Sequence, residues 1–259
     1  MENINLNKYS RFFAFGCSFT EYYWPTWANI IAKEIPDHYI YAKIGAGNFF
    51  IFQALIEAIV RHSINKDDLV MIMFSNITRE DRYTKEKGWI TPGNLYFQTE
   101  YNEKFLKKYL CHKGYLMRDL SLVSACKHTL DNIGCNYELM SIVPFDSESS
   151  NDKRIDDVTD VLDFYKDIIT CVKPSVLETV FDNNWNARLP RPTYKVDWQI
   201  HLYQDNHPTP AEHMMYLESL YPDLILSEET KLFVKISNEK VMAGNLDNSH
   251  YHKNLCQRL

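Results

Sequence analysis

Residues 69–74 read LVMIMF and follow two aspartates, Asp67 and Asp68. A run this apolar has no polar alternation to place toward water, and it is far too short to span a bilayer. It fits a β-strand buried on both faces by helices, the situation of a strand in a parallel sheet. The neighbouring segments supply what such a strand needs. Residues 11–15 read as an earlier strand, 27–35 as a helix with one apolar face ended by Pro36, and 39–44 as a second strand closed by Gly45, Ala46, Gly47 and Asn48. An apolar helix over 50–62 follows, with Asn48 placed as its N-cap. Strands alternating with helices in this way point to an α/β domain around a parallel sheet.

Beyond the third strand the pattern becomes less regular. A polar and aromatic excursion over 78–100 precedes helical patterns at 101–109 and 114–133, the second stopped by Gly134. A fourth strand is expected over 137–143, a surface loop over 146–157 and a helix over 158–172. Residues 174–181 are ambiguous between a helix start and a fifth strand, and the proline-punctuated 183–203 stretch is expected to be irregular. A last core helix is expected at 210–220, with Pro210 in its first turn. The segment 237–259 is polar and without a clear period. These boundaries describe one domain with a core over about 8–222, an insertion at 78–100 and a polar C-terminal tail at 237–259.

Length and charge narrow the partners. A chain of 259 residues with 45% apolar and 24% charged residues is an ordinary folded domain of enzyme size. Its net charge of −6 provides no basic field for nucleic acid. Residues 1–13 lack a basic segment followed by an apolar stretch, and no segment is long enough to cross a membrane, so a cytoplasmic location is expected. The six cysteines show no CxxC spacing and are expected as thiols. The sequence NLYFQ at 94–98 matches the core of a viral-protease recognition site, which we read as coincidence. Oligomeric state is not legible.

In a parallel sheet, ligands bind beyond the carboxyl ends of the strands. Those ends read Gly16-Cys17-Ser18-Phe19-Thr20, Gly45-Ala46-Gly47-Asn48 and Ser75-Asn76-Ile77-Thr78-Arg79. Late in the chain, Asp205-Asn206-His207-Pro208-Thr209-Pro210 stands just before a helix. Together these supply a serine, an imidazole two residues from a carboxylate, and small residues with free backbone N–H groups. A serine hydroxyl attacks a carbonyl well only when an imidazole takes its proton, and the imidazole needs an acceptor that fixes its tautomer. The developing oxyanion needs donors already in place.

On these residues the chain resembles the SGNH, or GDSL-like, hydrolase superfamily. The first block is FGCSFTE, with Ser18 at the nucleophile and Cys17 where an aspartate is common. The second is KIGAGN, with Gly45 at the oxyanion glycine. The last is DNHPTPAEH, with Asp205 and His207 as acid and base. The family's third block, Gly-x-Asn-Asp, is replaced by Ser75-Asn76-Ile77-Thr78, with Asn76 one place early. The resemblance runs in order from about residue 11 to 216 and finds no block between 79 and 204. It implies a flavodoxin-like three-layer α/β/α fold with a mostly parallel sheet, ester hydrolysis or acyl transfer on a small-molecule or carbohydrate ester, and neither metal nor organic cofactor. The expected oxyanion donors are the Ser18 and Gly45 N–H groups and Asn76.

Other assignments compete. Ser18 could serve only as a turn or helix-cap residue. Cys17 is an alternative nucleophile. Asp205, His207 and His213 together have a superficial look of metal ligands, but two flanking prolines suit a rigid loop presenting one imidazole better. His201 is a further imidazole nearby in sequence. Tyr22, Trp24 and Trp89 are candidates for stacking on a sugar, and Arg79 for pairing with an anionic substrate. An O-acetylated carbohydrate is the favoured substrate. A thioesterase, a lipid esterase and a binding protein without turnover are the alternatives.

Overall fold

The computed structural model describes residues 4–95, 100–145, 157–185, 192–194 and 203–245. A 3-10 turn at Leu6–Lys8 leads into β1 (Arg11–Gly16), α1 (Trp27–Glu34), β2 (His38–Ala42), α2 (Asn48–His62) and β3 (Asp68–Phe74). A short hairpin follows, β4 (Arg82–Thr84) and β5 (Gly88–Ile90), then α3 (Glu103–Tyr109), α4 (His112–Ile133) and β6 (Asn136–Ser141). The remainder is α5 (Thr159–Phe164), α6 (Lys166–Ile169), α7 (Val176–Thr179), the strand pair β7 (Thr193–Tyr194) and β8 (Tyr203–Gln204), α8 (Pro210–Leu220) and α9 (Glu228–Met242).

Four strands form one parallel sheet in the order β2-β1-β3-β6. The unbroken hydrophobicity of β1 and β3 now has its cause. Phe12, Ala14, Leu69, Met71 and Met73 enter the core on one face, packed with Trp27, Ile30 and Ile31 of α1 and Tyr216 and Leu217 of α8. Phe13, Phe15, Val70, Ile72 and Phe74 enter the core on the other, with Ile51 and Leu55 of α2 and Leu116, Leu120 and Val123 of α4. The fold class is therefore the expected α/β sandwich with a parallel central sheet. At the amino ends of the strands, Arg11 clamps Asp68 in a two-pronged ion pair, with contacts of 2.8 and 2.7 Å tying β1 to β3.

Several elements differ from their sequence expectation. Gly47, not Asn48, is the N-cap of α2, and Asn48 opens the helix with its side chain fully buried. The ambiguous 174–181 segment forms α7, started by a reciprocal capping box between Ser175 and Glu178, and no fifth strand joins the sheet among the described residues. The helix expected over 158–172 is split at Tyr165 into α5 and α6. The tail is ordered further than its polarity suggests, since α9 runs to Met242 and buries Thr230, Val234, Ser237 and Val241. Residues 1–3, 96–99, 146–156, 186–191, 195–202 and 246–259, including His201, the NLYFQ residues beyond Leu95 and most of the expected loop, lie outside the described residues.

β1 lies between β2 and β3, so the chain leaves β1 toward one side and later returns on the other. Such a reversal marks the carboxyl ends of β1 and β3 as the usual place for a ligand in sheets of this kind. Ser18 stands two residues beyond the end of β1.

Candidate active site

The turn after β1 is tightly made. The Cys17 carbonyl accepts the N–H groups of Thr20 and Glu21, at 2.9 and 3.1 Å. Thr20 folds back over Gly16 so closely that a Cβ there would lie 1.9 Å from the threonine Oγ1. Cys17 points into the core and is fully buried, whereas Ser18 points to the imidazole.

His207 arrives from the opposite end of the chain. Its loop is held by the start of α8, where Thr209 and Glu212 form a capping box and Pro210 occupies the first turn. His207 Nε2 lies 2.9 Å from Ser18 Oγ, and Nδ1 lies 2.7 Å from Asp205 Oδ1. The His207 N–H also donates to that carboxylate oxygen at 2.8 Å, closing a small ring that fixes loop and side chain together. Asp205 is fully buried, and the imidazole is a quarter exposed. An Nδ1–H donated to Asp205 leaves Nε2 as the acceptor facing the serine hydroxyl, the tautomer a general base requires.

Tyr22 and Trp24, considered above as sugar-stacking residues, are buried at 6% and 1% exposure and turn toward the His207 loop. The Tyr22 hydroxyl donates to Asp205 Oδ2, and its ring lies against the imidazole at 3.9 Å between centroids, 22° from parallel. Trp24 Nε1 donates to the Pro208 carbonyl at 2.7 Å. Phe19 closes another side of the imidazole, 5.2 Å away. From α8, the buried His213 adds a second imidazole whose pKa falls to about 3, because burial penalises its charged form and His207 adds a smaller repulsion.

The second turn separates two glycines of different use. Gly45 adopts a left-handed conformation, φ +78°, beneath the Thr91 carbonyl, where a Cβ would come within 2.2 Å. Its N–H makes no hydrogen bond among the described residues, and neither does that of Ser18. The Gly47 N–H, by contrast, is bound to both Asp81 oxygens at 2.8 and 3.0 Å, and the Phe50 N–H to one at 2.9 Å. Asp81 thus occupies the amino end of α2. Burial raises its pKa, against the opposing pull of these N–H groups and of Arg79 and Arg118.

The third turn is organised by two asparagines. Asn76 Oδ1 accepts from the N–H and hydroxyl of Thr78, at 2.9 and 2.7 Å, leaving its NH₂ group without a partner among the described residues. Asn48 was missed as a site residue. Its amide accepts from the Ser75 N–H at 2.8 Å and donates to the Ser75 carbonyl and to Asp119, at 3.1 and 2.7 Å, tying the end of β3 to α2 and α4. Asp119 is held up to about 6 by burial, despite its contact with Arg118. Arg79 donates to the Ala46 carbonyl at 2.7 Å and so braces the second turn.

The 78–100 excursion covers that same turn. Lys43 Nζ donates to the Trp89 carbonyl, and Thr91 Oγ1 to the Ile44 carbonyl at 2.9 Å. Trp89 packs edge-on against Phe49, Phe50 and Tyr83, forming with Ile44 a partly exposed aromatic surface. A separate cleft of about 270 Å³ lies between Arg82, Phe105, Tyr109, Tyr115 and Arg118. Its charged groups are engaged with one another, both arginines and the Tyr115 hydroxyl meeting at Glu80. Among the described residues no group of three or more His, Cys, Asp or Glu side chains is arranged to hold a metal ion, and no helix is long and apolar enough to cross a membrane.

No protein-family model and no curated protein matches this chain. Among solved structures, a GDSL-like lipase from Bacteroides thetaiotaomicron aligns over 94% of this chain and 92% of its own, at 11% identity and a TM-score of 0.35. Likeness at that level carries no argument about fold or activity, so the functional reading rests on the site itself.

Proposed function

We propose that this protein is a serine hydrolase that removes, or transfers, an acyl group from an ester. The observation that carries the reading is the chain of contacts from Ser18 Oγ to His207 Nε2 and from His207 Nδ1 to buried Asp205. In this reading Ser18 attacks the carbonyl carbon as its proton passes to His207. The tetrahedral oxyanion is met by the Ser18 and Gly45 N–H groups and the Asn76 NH₂. His207 then returns the proton to the departing alcohol, and a water or acceptor hydroxyl repeats the sequence to free the acyl group.

A short acyl group on a carbohydrate is the substrate class we place first. Its support is the family resemblance of the motifs together with the aromatic surface of Phe49, Tyr83 and Trp89 beside the second turn, a surface suited to the apolar face of a sugar ring.

The test is hydrolysis of nitrophenyl acetate and nitrophenyl octanoate by the protein and by Ser18→Ala. Acetate turnover is expected, with octanoate slower and with a loss of at least about a thousandfold in the variant. Equal turnover by Ser18→Ala would remove Ser18 as nucleophile. An inert wild-type protein that binds an O-acetylated oligosaccharide saturably, without deacetylating it, would overturn hydrolysis in favour of a binding fold.

A further inference from the structure

We propose that Tyr22 is a positioning residue of this site, a fourth member that sets the orientation and tautomer of His207 through Asp205; the inference rests on the serine-hydrolase reading and extends it. The array has to solve a mechanical problem. Asp205 and His207 share a short loop, and the two bonds from His207 to the carboxylate, one from the ring Nδ1 and one from the backbone N–H, fall on one oxygen, Oδ1. The second oxygen is held from outside the loop by the Tyr22 hydroxyl, which comes from the turn after β1 that also carries Ser18.

The same side chain acts a second time. Its ring lies almost flat against the imidazole, and Phe19 stands on the ring as well, so His207 cannot pivot without pushing into buried aromatic groups. Trp24, two residues on, holds the Pro208 carbonyl and fixes the loop just beyond the imidazole. One segment of seven residues, from Ser18 to Trp24, thereby carries the nucleophile and also grips the acid and base that arrive 183 residues later in the chain. A purely packing role would need the ring alone. The hydroxyl donated to a fully buried carboxylate is what assigns the positioning function.

The experiment compares the protein with Tyr22→Phe and Tyr22→Leu, using histidine labelled with heavy nitrogen and the His207 signals assigned by their absence in His207→Gln. Nitrogen NMR reports the tautomer, and the downfield proton shared between Nδ1 and the carboxylate reports the bond to Asp205, both independently of turnover. Tyr22→Phe is expected to broaden or lose that proton signal and to mix the tautomers, with kcat toward nitrophenyl acetate about tenfold lower and KM within about twofold. Tyr22→Leu is expected to lose more. A Tyr22→Phe protein whose His207 signals match the wild type would overturn the proposal, as would an effect confined to Tyr22→Leu, which would assign the residue to packing. If the wild-type protein hydrolyses no ester, the function reading fails while the NMR comparison still decides the role of Tyr22.

Discussion

Gly16 leaves no space for a side chain: a methyl group there would meet Thr20 Oγ1 at 1.9 Å and the Met73 carbonyl at 3.2 Å. Because Met73 is backbone of the adjacent strand, relief must come from the turn that carries Ser18. Gly16→Ala is therefore expected to lower stability by about 2 kcal/mol and to impair turnover more than that loss explains. Urea unfolding and nitrophenyl acetate kinetics on one preparation check both, and a variant with wild-type turnover would mean that the turn tolerates displacement. At this scale the sequence singled out Ser18, Asp205 and His207, which the structure brings into contact, because each sits where a strand ends or a proline-led helix begins. Tyr22 and Trp24 stood out only as candidates for sugar stacking or for core packing, since no local pattern shows that a tyrosine meets an aspartate 183 positions away. Asn48 follows a glycine at a helix start and so reads as a cap; its buried links to Ser75 and Asp119 depend on where α4 packs.

Among elements, α2 depends on a side chain far from its own sequence. Asp81 satisfies the N–H groups of Gly47 and Phe50, two donors that the first turn of a helix cannot pair internally. Asp81→Ala is expected to cost about 2 kcal/mol in urea unfolding, with Asp81→Asn intermediate because the amide keeps one acceptor oxygen. An alanine variant as stable as the wild type would show that other groups take over these donors. The four strands of the parallel sheet and α8 were legible because apolar runs and proline are local signals, whereas the short pairs β4–β5 and β7–β8 were not. The α9 helix was not, since two of its four buried positions, Thr230 and Ser237, are hydroxyl residues that hide a helical stripe completed by Val234 and Val241. The ambiguity at 174–181 was decided by the Ser175–Glu178 capping box, which stabilises a helix start where hydrophobicity alone also allowed a strand.

For the molecule as a whole, a partly buried carboxyl and a buried imidazole set opposite dependences on pH. Burial raises Glu21 from 4.5 to about 8, so the folded protein holds a proton that the unfolded chain releases. Its contribution is full below about 4.5 and is lost as pH rises through 8. His213 is lowered from 6.5 to about 3, so its contribution is present above 6.5 and is lost as pH falls toward 3. Unfolding midpoints in urea from pH 3 to 9 are expected to slope down at both ends. Glu21→Gln should flatten the alkaline side and His213→Leu the acid side, each removing up to about 1.4 kcal/mol per pH unit of slope. An unchanged alkaline slope in Glu21→Gln would rule out that carboxyl as its source.

The separation of Ser18 from His207 by 189 positions also has a consequence in time. A ribosome adds roughly 5 to 20 residues per second, so on the serine-hydrolase reading the nucleophile precedes its base by about 10 to 40 seconds of synthesis. Once β6 is made, the growing chain has the serine and every strand of the main sheet, yet still lacks His207, which that reading makes the base. If the serine-hydrolase reading holds, a protein built in this order cannot take an acyl group onto Ser18 until the loop that leads into α8 is available to dock, and its chemistry is withheld by the order of manufacture alone.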